Sequence, residues 1–290
     1  MSRKGKPWRA RIAVLLFIIL AAGSVWLVAR SVPPDPVYGG KPLSVWLQAY
    51  DPHSPHGRGS REWNETDATV RHIGTNSIPL LLDWLRKGDS SLKLKLVALA
   101  RKQNFIKVRF VPAHTRNREA SMAFIALGNS ARDAVPQLIK IYSENHSRES
   151  QYAVAEALGW IGPAANDAVP LLIGAAKDLD VRIRANALWS LGEIHAEPRL
   201  CVPVLIRALD DSDASVRLST VHALGMFGSD AQRAIPALTA LTNDPVGTPR
   251  IIRVEIMETP MEARKALGKI NPHREDDRLV LDPLKAELRK

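Results

Sequence analysis

The 290-residue chain contains a single cysteine, Cys201, and no recognisable catalytic signature. One thiol excludes both an intramolecular disulfide framework and a cysteine-rich zinc site. The sequence also lacks the G-x-S-x-G, Walker A, dinucleotide-binding and H-E-x-x-H motifs. We therefore predict a protein that is not an enzyme and that needs neither a cofactor nor a bound metal.

The eight histidines are scattered along the chain, and none of them lies in a pattern typical of a metal site. His53 and His56 have a suitable spacing, but they lie in a predicted loop without the further ligands that a metal shell requires. We expect His195 and His222 to be structural or surface residues. We expect Cys201 to be a buried, unreactive thiol.

One long apolar run lies at residues 12–29 (IAVLLFIILAAGSVWLVA), eighteen positions without a charge. As a helix it would reach about 27 Å, nearly the thickness of the bilayer hydrocarbon. Residues 1–11 contain five basic residues and no acidic one. This bias predicts a cytoplasmic tail over 1–11, a single transmembrane signal-anchor over 12–29, and a body on the periplasmic or extracytoplasmic side.

A cleaved signal peptide is the alternative interpretation of the same run. Residues 12–21 form a ten-residue apolar core, and the small residues 22–24 (AGS) fit a cleavage site. The apolar run continues as far as residue 29, which favours the uncleaved anchor. Residues 30–60 follow as a Pro/Gly-rich linker, in which residues 42–50 are predicted to form a short helix.

An internal repeat of 33 residues dominates the second half of the chain. Four columns of residues recur at this separation: Gly159, Gly192 and Gly225; Pro170, Pro203 and Pro236; Asp180 and Asp213; Arg184 and Arg217. In each unit we expect a first helix that ends near the glycine, a second helix that begins at the proline, and an acidic turn that caps the next unit. Since one helix pair cannot bury both of its faces, the pairs must stack.

The residues in these columns resemble a known family. The pattern V-R-x-x-A-x-x-A-L-G followed by A-V-P-x-L-I resembles HEAT repeats of the phycobilisome-lyase-like type, and it is carried by residues 168–176, 181–194 and 214–228. Residues 40–50 and 71–86 are also similar to bacterial membrane-anchored HEAT-repeat proteins. The resemblance implies an all-α fold, a right-handed α-solenoid of stacked helix pairs preceded by one transmembrane helix.

The repeats suggest a division of the remaining chain into three parts. We assign residues 61–118 to a divergent N-terminal repeat with a basic connector, residues 119–270 to the solenoid, and residues 271–290 to a C-terminal cap or tail. Within this architecture we predict a non-catalytic, membrane-tethered scaffold for protein–protein interaction. The alternative implied by the resemblance is a bilin-lyase-like or other HEAT enzyme subunit.

A protein partner is expected to bind along the second helices, because in HEAT stacks these helices usually line the concave side. Their exposed positions form what we call the second-helix ridge, which consists of Lys140, Glu144, Lys177, Asp178, Arg207 and Asp211. This ridge is mixed in sign, whereas a nucleic-acid surface requires an unbroken basic column. We therefore predict a protein partner and no nucleic acid.

Residues 86–118 carry ten basic residues and one acidic residue, interleaved with leucines. The candidate contacts of this basic patch are Lys93, Lys95, Arg101, Lys102, Lys107 and Arg109. The composition is typical either of a solvated helix face or of a contact with anionic lipid headgroups, which would make the protein a peripheral lipid-binding module. Without this patch and residues 1–30, the formal charge of +10 becomes −5, so the excess of basic residues does not indicate nucleic-acid binding.

Overall fold

The computed structural model describes residues 33–51, 57–102, 110–242, 265, 266 and 268–270. The predicted cytoplasmic tail, the predicted membrane span at 12–29 and the segment 271–290 lie outside the described residues. Within the described ranges, no helix is both long enough and apolar enough to cross a bilayer.

A short β-hairpin precedes a series of α-helices. The antiparallel hairpin consists of β1 (Val37–Tyr38) and β2 (Lys41–Pro42). The helices are α1 (Leu43–Trp46), α2 (Arg61–Ile73), α3 (Ile78–Arg86), α4 (Ser91–Lys102), α5 (Ala113–Leu127), α6 (Val135–Glu144), α7 (Arg148–Ile161), α8 (Val169–Ala175), α9 (Val181–Ile194), α10 (Pro198–Ala208), α11 (Ala214–Phe227) and α12 (Ile235–Thr242). Short 3₁₀ segments lie at Leu47–Tyr50, Gly74–Ser77, Gly128–Ala134, Gly162–Ala168 and Gly228–Ala234.

The helices pack as successive pairs, which confirms the predicted α-solenoid. The first helices α7, α9 and α11 begin 33 residues apart, at Arg148, Val181 and Ala214. A polar residue precedes each of them and accepts a hydrogen bond from a backbone N–H of the first turn. These bonds join Ser150 N to Ser147 Oγ (3.0 Å), Arg182 N to Asp180 Oδ1 (2.9 Å) and Ser215 N to Asp213 Oδ1 (2.9 Å). The predicted capping role of the acidic turns is therefore confirmed.

The repeating glycines lie two residues before the ends of the first helices, so these helices end near them, as predicted. Helices α7 and α11 continue for two residues beyond Gly159 and Gly225 and end before Gly162 and Gly228, whose φ angles are 73° and 51°. At Gly159 and Gly192 the close packing of neighbouring helices also leaves no room for a side chain. A Cβ atom at Gly192 would lie 2.5 Å from Ala223 Cα on the next first helix. No side chain fits between these two backbones.

The repeating prolines begin the second helices in two units and not in the third. Pro170 and Pro236 lie in the first turns of α8 and α12, where the missing N–H is not needed. Pro203, in contrast, lies inside α10, which already begins at Pro198. This unit has no 3₁₀ segment between its helices, so its second helix starts earlier in the repeat.

The two layers of the solenoid differ in how tightly they stack. The first helices α5, α7, α9 and α11 pack directly against one another along the array. The second helices pack against first helices but make few contacts with one another. A stack that is tighter along one side curves toward that side. The first helices therefore line the concave face, and the expectation that the second helices do so was wrong.

Ion pairs join the turns of consecutive repeats. The Arg148 guanidinium binds the Asp178 carboxylate through two hydrogen bonds. One repeat further on, Arg184 Nε and Nη2 donate to Asp211 at 3.0 and 3.1 Å. Each bond connects the start of one first helix to the turn that precedes the next, which fixes the register of the stack.

The N-terminal segment belongs to the solenoid core. Residues 42–50 form the predicted short helix as α1 and a 3₁₀ turn, and Leu43, Leu47 and Tyr50 are buried in the common core. This part of the predicted linker therefore caps the array. The predicted boundary between residues 118 and 119 falls within α5, so the repeat array begins at Ala113.

Candidate functional site

A stripe of polar and aromatic side chains runs along the concave face. On α7, Tyr152, Glu156 and Trp160 follow one another at intervals of four residues, which places them on one side of the helix. Trp189 on α9 and Arg118 on α5 lie beside this stripe. These half-buried or exposed side chains of neighbouring first helices thus form one surface.

These side chains line a groove of about 770 Å³, which we call the first-helix groove. It extends from α5 across α7 and α9 to α11. Its lining consists of His114, Arg118, Glu149, Tyr152, Ala153, Glu156, Trp160, Arg182, Ala185, Asn186, Trp189 and Ser219. The groove therefore spans four repeats, and no single helix pair forms it.

Two tryptophans form the aromatic part of the groove. The rings of Trp160 and Trp189 meet edge to face, with their centroids 4.4 Å apart. The guanidinium of Arg58, from the loop before α2, lies 5.3 Å from the centre of the Trp160 ring. Within the described part of the chain, the buried Nε1 of Trp160 has no hydrogen-bond acceptor.

The charges in the groove are of both signs, and one acid is held in an apolar setting. Burial raises the pKa of Glu156, although the Ser121 hydroxyl, which donates to its Oε2 at 2.6 Å, and the nearby Arg118 lower it. Arg182 binds Asp180 at 3.1 Å and approaches Glu149 at 4.0 Å. Arg118 is exposed, so its charge faces the open groove.

Hydrogen bonds within the solenoid hold the floor of the groove. Asn186 Nδ2 donates to the Tyr152 carbonyl at 2.9 Å, and Ser190 Oγ donates to the Ala155 carbonyl at 2.9 Å. Both bonds cross from α9 to α7. The groove is therefore largely preorganised, because its two central helices are fixed to each other by side chain to backbone contacts.

The second-helix ridge lies on the side opposite to this groove. Its lysines and Arg207 are exposed, and Lys140 lies 3.8 Å from Glu144, which also contacts His146 at 2.8 Å. Asp178 and Asp211 are half-buried and bind arginines of the preceding unit. The structure therefore does not bring the six predicted residues into one exposed surface.

The predicted basic patch is only partly described. Lys93 and Lys95 lie exposed on α4, and Lys93 Nζ is 2.7 Å from Asp89 Oδ1 and 5.1 Å from the centre of the Phe110 ring. Arg101 and Lys102 end α4, but their side chains are not described. Lys107 and Arg109 lie outside the described residues.

The structure describes Cys201, His195 and His222, whereas His53 and His56 lie outside the described residues. Cys201 is buried, as predicted, and burial, followed by the charge of Glu197, raises the pKa of its thiol to about 11. His222 bonds to Glu193 at 2.9 Å, and His195 is exposed. Among the residues that the structure describes, no three His, Cys, Asp or Glu side chains are grouped to hold a metal ion.

The groove residues were missed by the sequence analysis, although a signal for them exists. Within the first helices, small and apolar residues fill most positions, and Tyr152, Glu156 and Trp160 interrupt this pattern at helical spacing. Only the assignment of the concave face to the first helices brings these positions together.

A family model described as HEAT repeats matches residues 114–191 and 169–258, which together span half of the chain. No curated protein matches the sequence.

Three solved structures match the chain. A designed armadillo repeat protein in complex with peptide (KR)4 is 17% identical, with 79% of this chain and 99% of that chain covered and a TM-score of 0.44. One engineered protein is 14% identical over 77% and 97% of the two chains, with a TM-score of 0.35. Another is 17% identical over 84% and 61%, with a TM-score of 0.38.

Proposed function

Because the chain belongs to the HEAT-repeat family, we propose that it is a non-catalytic scaffold whose first-helix groove binds a segment of a protein partner. The proposal depends on one observation, which is that Arg118, Tyr152 and Trp189 lie together in an open concave space. Trp, Tyr and Arg are the residue types that contribute most to binding energy in protein interfaces. A preorganised groove also lowers the entropic cost of binding.

The dimensions of the groove favour an extended segment. Packed helices lie about 8–10 Å apart, so the distance from α5 to α11 is roughly 30 Å. An extended chain rises about 3.3 Å per residue, and about nine residues are needed to cross the groove. Alternate side chains of such a segment would face the floor, where the Trp160 and Trp189 rings offer an apolar contact.

The test compares variants of the groove with variants of the opposite side. We expect Trp189→Ala and Arg118→Glu each to reduce capture of the partner from native membranes by at least about tenfold, because interface hot spots contribute roughly 2 kcal/mol or more. The tagged full-length protein is cross-linked in the membrane, and the captured protein is identified and quantified by mass spectrometry.

The matched control is the double variant Lys140→Glu and Arg207→Glu on the second-helix ridge. It should capture the partner as well as the wild-type protein. The opposite pattern, with capture lost in the ridge variant and retained in both groove variants, would place the binding surface on the second helices. Circular dichroism of each variant shows whether the solenoid is intact.

We also propose that residues 12–29 tether the solenoid to the membrane and that the repeats lie on the extracytoplasmic side. The support is the uncharged apolar run and the basic residues that precede it. The intact mass of the protein isolated from membranes tests this proposal. A mass that begins at residue 1 supports the anchor, whereas a start near residue 25 indicates a cleaved signal peptide.

A second candidate function is contact with anionic lipid through α4. This helix makes few contacts with the other described elements, and Leu94, Leu96 and Leu99 are exposed by 45%, 57% and 66%. Exposed leucines beside Lys93 and Lys95 suit an interfacial helix. The tether would hold this helix close to the bilayer.

Cysteine labelling distinguishes lipid contact from solvent exposure. Since Cys201 is buried, a Leu96→Cys variant in nanodiscs offers one accessible thiol. We expect anionic lipid to slow its reaction with a water-soluble maleimide by at least about tenfold, because the helix buries this face in the interface. Leu179→Cys, at a turn residue that is 95% exposed, is the control. Equal rates for Leu96→Cys in neutral and anionic nanodiscs would exclude the contact.

A further inference from the structure

A second cavity lies at the N-terminal end of the concave face. It has a volume of about 610 Å³ and is formed by α1, the following 3₁₀ turn, α2 and α5. Trp46, Trp84, Val45 and Ala49 give it partly apolar walls. We call this cavity the N-terminal pocket. None of its lining residues belongs to the first-helix groove.

Acidic residues outnumber basic ones in the lining of the N-terminal pocket. Its charged residues are Lys41, Asp51, Glu62, Glu65, Arg116 and Glu119. The two cations lie close to indole rings, with Lys41 Nζ 4.8 Å from the Trp46 centroid and the Arg116 guanidinium 5.3 Å from that of Trp84.

Glu119 is the unusual member of this set. It is only 3% exposed, and its carboxyl group has no hydrogen-bond partner in the part of the chain that the structure describes. Burial is the largest cause that raises the pKa of Glu119 to about 8; Asp51 adds to this effect and Arg116 opposes it. At neutral pH the carboxyl is therefore mostly protonated. The pocket thus holds a buried acid that the neighbouring cations do not keep ionised.

We propose that the N-terminal pocket binds a lysine or arginine side chain of the protein segment that occupies the first-helix groove. The proposal rests on the proposed function and adds a determinant of specificity to it. The carboxyl groups would bind the cationic end of the side chain, and the apolar walls would contact its methylene groups. A cation at Glu119 favours the ionised carboxylate.

The fold makes simultaneous occupation of both sites possible. Helix α5 separates them, with Thr115, Arg116 and Glu119 lining the pocket, and His114 and Arg118 lining the groove. A helix is about 10 Å wide, so an extended segment crosses α5 in about three residues. Binding transfers the carboxyl proton of Glu119 to the buffer and leaves an ion pair between the carboxylate and the side-chain cation.

The proton that leaves Glu119 provides a readout that simple charge attraction does not give. The full-length protein in detergent is titrated calorimetrically at neutral pH with the peptide acetyl-Gly-Lys-Gly-amide, in phosphate and in Tris buffer. These buffers differ in ionisation enthalpy, so the difference in heat reports the protons released. We expect release of up to about one proton per site, since the bound cation lowers the pKa of the carboxyl group.

Two variants and one further peptide complete the test. Glu119→Gln should bind the lysine peptide at least about tenfold more weakly and release no proton, because it removes the charge-assisted contact. Glu144→Gln, at an exposed acid of the second-helix ridge, should behave like the wild-type protein. A peptide with norleucine in place of lysine should not bind.

Several results would overturn the inference. One is that the lysine peptide binds Glu119→Gln and the wild-type protein with equal affinity, and another is that the norleucine peptide binds the wild-type protein as tightly as the lysine peptide does. The inference also fails if the lysine peptide binds the wild-type protein without proton release, or does not bind it at all. The proposed function is tested separately by the capture experiment with Trp189→Ala and Arg118→Glu. If those variants lose the partner while the lysine peptide does not bind, the groove proposal stands and the pocket proposal fails.

Discussion

Replacing Glu119 by glutamine is expected to stabilise the protein strongly at about pH 9 and to change it little at about pH 4. The carboxyl has a pKa near 4.5 without the fold and about 8 within it. Between these values the unfolded chain is ionised while the folded chain keeps the proton, so stability falls as pH rises. The loss is about 1.4 kcal/mol per pH unit and reaches about 4 to 5 kcal/mol above the folded pKa. Glutamine does not ionise and therefore avoids this loss.

Urea denaturation followed by circular dichroism at the two pH values measures the effect. Glu65→Gln is the matched control, because this residue lines the same pocket but is exposed and forms an ion pair with Arg61 at 2.8 Å. Its effect should stay within about 0.5 kcal/mol. If Glu119→Gln gave the same stability difference at both pH values, Glu119 would not be the buried acid described here.

Replacing Gly192 by alanine is expected to destabilise the solenoid by about 2 to 3 kcal/mol, because the added methyl group overpacks a helix contact. Its Cβ would meet the backbone of the next helix, 2.5 Å from Ala223 Cα, and a backbone cannot rotate away. The same substitution should cost less at Gly159 and least at Gly225, where the nearest atoms lie at 2.7 and 3.4 Å. Urea denaturation of the three variants measures this order.

Gly174→Ala is the control for the helical preference of alanine. Gly174 lies in the second helix α8, and a Cβ there would have no neighbour within 4 Å. Since glycine is unfavourable within helices, this variant should be stabilised by about 0.5 to 1 kcal/mol. Destabilisation by Gly174→Ala equal to that of Gly192→Ala would show that close helix contact is not the reason for the glycine column.

The repeat architecture was predictable because its determinants are local and recur. The 33-residue period fixed the starts of α7, α9 and α11, and the side chains of Asp180 and Asp213 cap the helices that follow them. Burial of Cys201 followed in the same way from its apolar surroundings. Each of these features depends on a few neighbouring residues, so the sequence pattern is sufficient.

The curvature of the stack was not predictable from the same pattern, because it depends on distances between repeats. A glycine two residues before the end of a helix is compatible with helix termination and with close packing, and only the contact of Gly192 with Ala223 distinguishes these roles. The concave side was consequently assigned to the wrong helices. Asp178 and Asp211 were expected on an exposed ridge, whereas the structure uses them in ion pairs between repeats.

The candidate site was difficult to predict for a related reason. Arg118, Tyr152 and Trp189 lie on three helices and meet only when the first helices form the concave face. The burial of Glu119 is likewise invisible in the sequence, because it results from packing of the 3₁₀ turn Leu47–Tyr50 and of α2 against α5. Long-range packing thus determines both sites, whereas local residues determine the helices that carry them.

The most direct test of the concave-face proposal is site-specific photo-cross-linking in intact cells. A photoreactive amino acid is placed at Glu149 or Ser219 in the first-helix groove, and at Lys177 or Arg207 on the second-helix ridge. We predict that the same protein partner is cross-linked from both groove positions and from neither ridge position. Cross-linking from Lys177 and Arg207, without any from Glu149 and Ser219, would contradict the assignment of the binding surface to the first helices.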